Sequence, residues 1–129
     1  MMSGMPDSPL GLSTPTHVHV IGVGGAGMSA IAEVLVSMGH TVSGSDLKAS
    51  SGLDRLAALG VDVSVGHSAD QVGEAAVVTR STAVPDTNPE CRAALERGIP
   101  LYGRPEILGA ISALRQTIAV AGTHGKTTT

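Results

Sequence analysis

Two glycine-rich turns carry the residues whose types and spacing could do chemistry. Gly22, Gly24 and Gly27 fit G-x-G-x-x-G, with Gly25 as an extra glycine and Ala26 beside it. Such a turn leaves the first N–H groups of the following helix unpaired and partly positive, a seat for a diphosphate. The first glycine permits a tight turn. The second lets phosphates approach the backbone, and the third lets the helix pack against the preceding strand. Asp46 follows Gly27 by 19 residues, close to the ~20 expected of a carboxylate that takes ribose hydroxyls in a βαβ nucleotide site. About a hundred residues after Gly22 comes GTHGKTTT, with Gly122, Thr123, His124, Gly125, Lys126, Thr127 and Thr128. This has the form of a phosphate loop: backbone N–H groups cradle phosphates, Lys126 neutralises their β and γ charges, and Thr127 ligates Mg²⁺. The longer pattern has a glycine where this chain has Val120, so the match is to a shorter G-T-x-G-K-T-T form. The chain stops three residues after Lys126, inside its own motif, and reads as a piece of a longer protein.

The elements that must position these residues alternate along the chain. β-Branched apolar runs and turn signals predict strands over 17–22, 41–45, 61–65, 75–79, 99–102 and 117–121. Between them, helices are expected over 26–38, 52–59, 89–97 and 105–114, with a helical turn over 68–72. Met28, Ile31, Ala32 and Leu35 follow one helical face, as do Leu53, Leu56 and Leu59. This order predicts an α/β fold, a Rossmann-like parallel sheet with helices on both faces. Gly22, Asp46, His67 and the run Ser81, Thr82, Ala83 all follow strand ends, so one edge of the sheet should gather them. Residues 1–16, rich in Pro, Ser, Gly and Thr, are expected to form a disordered tail. Residues 17–115 make the nucleotide domain, and 116–129 the first strand and phosphate loop of a truncated second domain.

Composition narrows the partners. Apolar residues make up 42% of the chain, with one Tyr and no Phe or Trp. That suits a parallel sheet covered by helices. Net charge is −3, without a basic cluster, which argues against a nucleic-acid polymer. No segment reaches the ~18 apolar residues of a membrane span, and the N-terminus has neither the basic nor the apolar region of a signal peptide. The single cysteine, Cys91, excludes an internal disulfide. A cytoplasmic protein without membrane insertion is expected.

The two turns, with VSGSDL, LGVDVSVGHS, STAVPDTNPE and RPEILG between them, resemble the start of the Mur ligases of peptidoglycan synthesis. The resemblance runs over about residues 17–129. It implies a first domain that binds the UDP part of a substrate rather than NAD, and a central ATP-binding domain beginning at the phosphate loop. It also implies an enzyme of cell-wall biogenesis, and so of cell shape and cell division. That enzyme activates a muramyl carboxylate with ATP as an acyl phosphate and joins an amine to it. The stretch near Gly22 favours the member that joins L-alanine to UDP-N-acetylmuramate; the rival attaches a preformed peptide to the same sugar. Carried over, the diphosphate lies on Gly22, Gly24, Gly25, Ala26 and Gly27. Asp46 and His67 lie near ribose and uracil, and Ser81, Thr82 and Ala83 near the phosphates and sugar. Gly122 through Thr128 belong to ATP, with Thr127 on Mg²⁺. The chain departs from the family at Thr79-Arg80, just before Ser81. ATP and Mg²⁺ are implied for the full-length enzyme, with none bound to this piece, which is expected to be inactive alone. An NAD(P)-binding oxidoreductase domain also fits the glycines and Asp46 but leaves GTHGKTTT unexplained. A nucleotide-sensing domain needs no catalysis at all.

Overall fold

The computed structural model describes residues 15–122. Thr123, His124, Gly125, Lys126, Thr127 and Thr128 lie outside the described residues, as does the expected tail up to residue 14. The elements are β1 (His17–Ile21), α1 (Ala26–Ser37), β2 (Thr41–Asp46), α2 (Ser51–Leu59), β3 (Asp62–Val65), a 3-10 turn (Ala69–Val72), β4 (Val77–Arg80), α3 (Pro89–Glu96), β5 (Leu101–Gly103) and α4 (Arg104–Gly122). The five strands form one sheet in the order β3-β2-β1-β4-β5. Every pairing is parallel, the Rossmann-like arrangement expected.

β1 is central because it is apolar enough to be covered on both faces. Val18 and Val20 point to one side and join Val42, Met28, Ile31, Ala32, Leu35, Leu53, Leu56, Ile107 and Ile111 in the larger core cluster, under α1, α2 and α4. Ile21 points to the other side and joins Val78, Cys91, Ala93 and Ala94 under α3. Each large aliphatic side chain so buried contributes about 1.5–3 kcal/mol. The helix starts follow local chemistry. Ser50 caps α2 by accepting from Leu53 N–H, Asn88 caps α3 by accepting from Glu90 N–H, and Pro89 takes the first turn of α3.

Two expectations fail. Leu59 is 46% exposed: α2 ends at Leu59, past the point where the sheet still covers it, and only Leu53 and Leu56 are buried. The strand expected over 117–121 is not found, because α4 runs through to Gly122. After Pro105 no proline interrupts a run containing the helix formers Ala, Leu, Arg and Gln. A helix satisfies its own backbone hydrogen bonds, whereas a strand there would need a neighbour.

Candidate functional site

The predicted residues meet at the C-terminal edge of the sheet. The loops there follow the strand order: Ser81 after β4, the glycine turn after β1, Asp46 at the end of β2, and His67 after β3. β1 is the strand at which the chain order reverses direction, and ligands of open parallel sheets bind in the crevice outside that point.

The glycine turn is held from β2. Gly22, at φ +82°, has the left-handed backbone that favours glycine. Its N–H and that of Val23 both donate to Ser45 O, at 2.8 and 3.0 Å. Gly25 takes the cap position of α1, with no side chain capping the helix and no acidic residue in its first turn. The positive end of α1 is therefore left without a carboxylate of its own. The second glycine also faces the end of β2. Gly24 N–H donates to Asp46 Oδ2 at 2.8 Å, and a Cβ on Gly24 would fall 2.8 Å from the same oxygen. Here the missing side chain admits the Asp46 carboxylate, whose Oδ1 accepts from Leu47 N–H at 2.7 Å. The third glycine faces α4: a Cβ on Gly27 would meet the Arg104 guanidinium, 2.8 Å from Cζ, so Gly27 makes room for that side chain.

On the far side of β1, Ser81 N–H donates to Ile21 O at 3.1 Å. The Ser81 hydroxyl accepts from Ala83 N–H at 3.2 Å, and Val84 N–H donates to Ser81 O at 3.0 Å. Ser81 thus builds its own turn. Ser81 and Thr82 line a hollow of about 300 Å³ together with Gly103 and Pro105. Arg80, at the end of β4, pairs with Asp86, and that bond, with a smaller contribution from Cys91, raises its pKa against the lowering effect of burial. Burial pushes the Cys91 thiol up, against the lowering effect of Arg80.

The residue that sequence reasoning missed is Glu90. It lies in the first turn of α3 and is fully buried. Its Oε1 accepts from His19 Nε2 at 2.5 Å and from the Ser45 hydroxyl at 2.7 Å. Its Oε2 accepts from His67 Nδ1 at 3.0 Å and from Ser68 N–H at 3.0 Å. The Gln71 amide, with its nitrogen turned inward, adds a donor at 3.1 Å and a second bond to Gly66 O at 3.0 Å. The network continues along β1: Ser43 Oγ lies 2.8 Å from His19 Nδ1 and 2.9 Å from His17 Nε2. Burial alone would raise the Glu90 carboxyl, but the bonds from His19, Ser45 and His67 outweigh it and hold Glu90 below the ordinary carboxylate range. His17 is lowered by burial and by its neighbour His19. A signal was available: His17 and His19 alternate on β1, and Ser43 and Ser45 do so on β2. Four polar residues on one face of a sheet covered by helices require a partner from the covering layer.

Among the described residues no group of His, Cys, Asp and Glu has the arrangement of a metal site, and no helix is long and apolar enough to cross a membrane.

Comparison with known proteins agrees with this fold. The model of the Mur ligase family, catalytic domain, matches residues 17–116. The UDP-N-acetylmuramate–L-alanine ligase of Rubrobacter xylanophilus is 62% identical over 112 residues, 87% of this chain and 25% of that protein. The solved UDP-N-acetylmuramate-alanine ligase of Thermotoga maritima superposes with a TM-score of 0.72 at 33% identity, over 78% of this chain and 23% of that one. The UDP-N-acetylmuramate:L-alanyl-gamma-D-glutamyl-meso-diaminopimelate ligase of Neisseria meningitides gives 0.68 at 33% identity, over 74% of this chain and 30% of that one. The chain spans about a quarter of the length of the curated relatives it matches.

Proposed function

This chain belongs to the Mur ligase family, and on that premise we propose that it is the nucleotide-binding part of an ATP-dependent ligase joining L-alanine to UDP-N-acetylmuramate. The observation that carries the reading is the edge itself. An uncapped α1 N-terminus without a first-turn acid lies at the reversal point of the sheet, with Asp46 on one side and the Ser81 turn on the other. In this reading Gly22, Gly24, Gly25, Ala26 and Gly27 seat the diphosphate. Asp46 takes ribose hydroxyls on the lone pairs that Gly24 and Leu47 leave free, His67 lies near the uracil, and Ser81, Thr82 and Ala83 face phosphate and sugar. The 62% identity to the Rubrobacter xylanophilus protein supports L-alanine over a preformed peptide as the group attached.

The wider reaction belongs to a longer protein. The muramyl carboxylate is activated by ATP as an acyl phosphate, and the amine of L-alanine displaces phosphate to form the amide. Residues 116–129 would open the ATP-binding domain, with Gly122 through Thr128 around the ATP phosphates and Thr127 supplying a Mg²⁺ ligand; from Thr123 on, these lie outside the described residues. The contribution of the described residues is to bind and orient the nucleotide end, so that remote binding energy positions the carboxylate. The reading places the protein in the cytoplasm, in cell-wall synthesis, with no nucleic-acid polymer as partner.

Calorimetric titration with UDP, NAD⁺, NADP⁺ and ATP tests the reading. UDP should bind most tightly. Asp46→Ala should weaken UDP by roughly ten- to hundredfold, the loss of a charge-assisted hydrogen bond of ~1.5–3 kcal/mol. Preference for NAD⁺ would favour an oxidoreductase domain instead, and unchanged UDP affinity in Asp46→Ala would put the carboxylate outside the site.

A further inference from the structure

Three loops meet at the candidate site, and the strand ladder alone does not hold them to one another. The glycine turn leaves β1, Asp46 ends β2, and residues 66–68 follow β3. The ladder pairs Ile21 with Ser45 and Asp46 with Val65. Past those residues each loop takes its own course unless something bridges it.

Ser45 and Glu90 form the bridge. The main-chain oxygen of Ser45 accepts from Gly22 N–H and Val23 N–H, and so carries the glycine turn. The hydroxyl of the same residue donates to Glu90 Oε1 at 2.7 Å. With its second oxygen Glu90 holds the loop after β3. Oε2 accepts from Ser68 N–H at 3.0 Å and from the inward-turned Gln71 amide at 3.1 Å. The same Gln71 nitrogen reaches Gly66 O at 3.0 Å. Each of these donors is a hydroxyl or an amide, so the bridge stands whatever protons the neighbouring histidines carry. Glu90 is brought there by α3, which packs against the 3-10 turn and is capped by Asn88. Its side chain is fully buried and does not reach a ligand. Any effect on binding must pass through the loops it joins. A site whose loops are already in place spends less of its affinity on ordering them.

We infer that Glu90 is a positioning residue for the nucleotide edge: it ties the loop after β3 to the strand end that carries the glycine turn, so that a nucleoside diphosphate meets both as one preformed surface. This step rests on the nucleotide reading above.

Glu90→Gln cuts the bridge but also endangers the fold, so two milder variants carry the test. Ser45→Ala removes the hydroxyl and keeps the main-chain oxygen beneath the turn. Gln71→Ala loosens the loop after β3 and leaves Ser45 and the turn untouched. Calorimetric titration of this chain with UDP, under conditions where urea baselines show parent and variants folded, reads the coupling. Each variant should weaken UDP by at least about fivefold, the lower end of a typical coupling between sites. The double variant should lose less than the product of the two single effects, because both cut one bridge. A merely structural role would lower the urea midpoint and leave the affinity of the folded chain unchanged. Amide resonances give a readout without ligand: Gln71→Ala should shift Gly22 and Val23 N–H, to which Gln71 makes no bond. Parent-like UDP affinity in either variant overturns the inference and leaves the nucleotide reading standing. So do single effects that multiply in full, or Gly22 and Val23 resonances that stay in place in Gln71→Ala. Failure of the parent itself to bind UDP overturns the nucleotide reading, and this inference with it.

Discussion

Replacing Glu90 by Gln keeps the size of the side chain and removes its charge and half its accepting capacity. Five donors converge on the two oxygens: His19, Ser45, His67, Ser68 and Gln71. An amide offers one oxygen and turns two hydrogens toward groups that themselves donate. Breaking a buried charged arrangement by removing one partner costs about 3–5 kcal/mol, a large part of the ~5–15 kcal/mol that stabilises a typical domain. Urea unfolding of Glu90→Gln at pH 7 should show a midpoint lower by roughly 2 M, taking a slope of about 1–3 kcal/mol per molar. The gap should depend on pH with a fixed sign. Glu90 is held below the carboxylate value of 4.5 in the folded chain, so the folded state binds fewer protons. Its stabilisation is then complete above that value and is lost as pH falls through the lower folded pKa. Parent and variant should therefore converge in acid. A variant within about 1 kcal/mol of the parent at neutral pH, or a gap that widens in acid, would refute the account of Glu90 as the keystone of this face.

The remaining predictions concern two orphaned polar atoms. Thr79 Oγ1 is buried without a partner, so Thr79→Val, of the same shape, should raise stability by about 1–2 kcal/mol; an unchanged or lower urea midpoint would mean that the hydroxyl is satisfied in solution. His40 accepts from Thr16 N–H through Nδ1 while its Nε2 is buried and unpaired, and burial lowers its pKa from 6.5. Protonation is easier in the unfolded chain, so this group's penalty is absent above pH 6.5 and grows as pH falls toward the folded value. His40→Asn should flatten the decline of stability between neutral and mildly acid pH, with the part due to His17 remaining; parallel pH profiles of parent and variant would exclude His40 as its source.

What the sequence made legible were features whose cause is local. Met28, Ile31, Ala32 and Leu35 share a face at helical spacing and are all buried. Gly22 marks the turn that needs a positive φ, and Asp46 ends β2. The parts that stayed hidden depend on who lies opposite. Glu90 reads as an acid in a helix's first turn, which is normally solvated; only the crossing of α3 over β1 and β2 makes it the acceptor for His19 and Ser45. Likewise nothing near Gly27 in the chain announces Arg104, and the reach of α4 to Gly122 follows from the lack of a stop signal rather than from a positive one.

The central position of β1 has a consequence for how the chain assembles. Its pairing with β2 joins nearby segments, Val18 with Val42, but its other edge pairs with β4, Val18 with Val77. During synthesis from the N-terminus the unit β1-β2-β3 is complete before residues 77–80 exist, and for that interval the middle of the finished sheet is an open edge. Non-local pairings of this kind are slow to form, and an uncovered apolar strand is a template for wrong partners. The strand that leads into the glycine turn is thus also the one most in need of protection while the protein is being made.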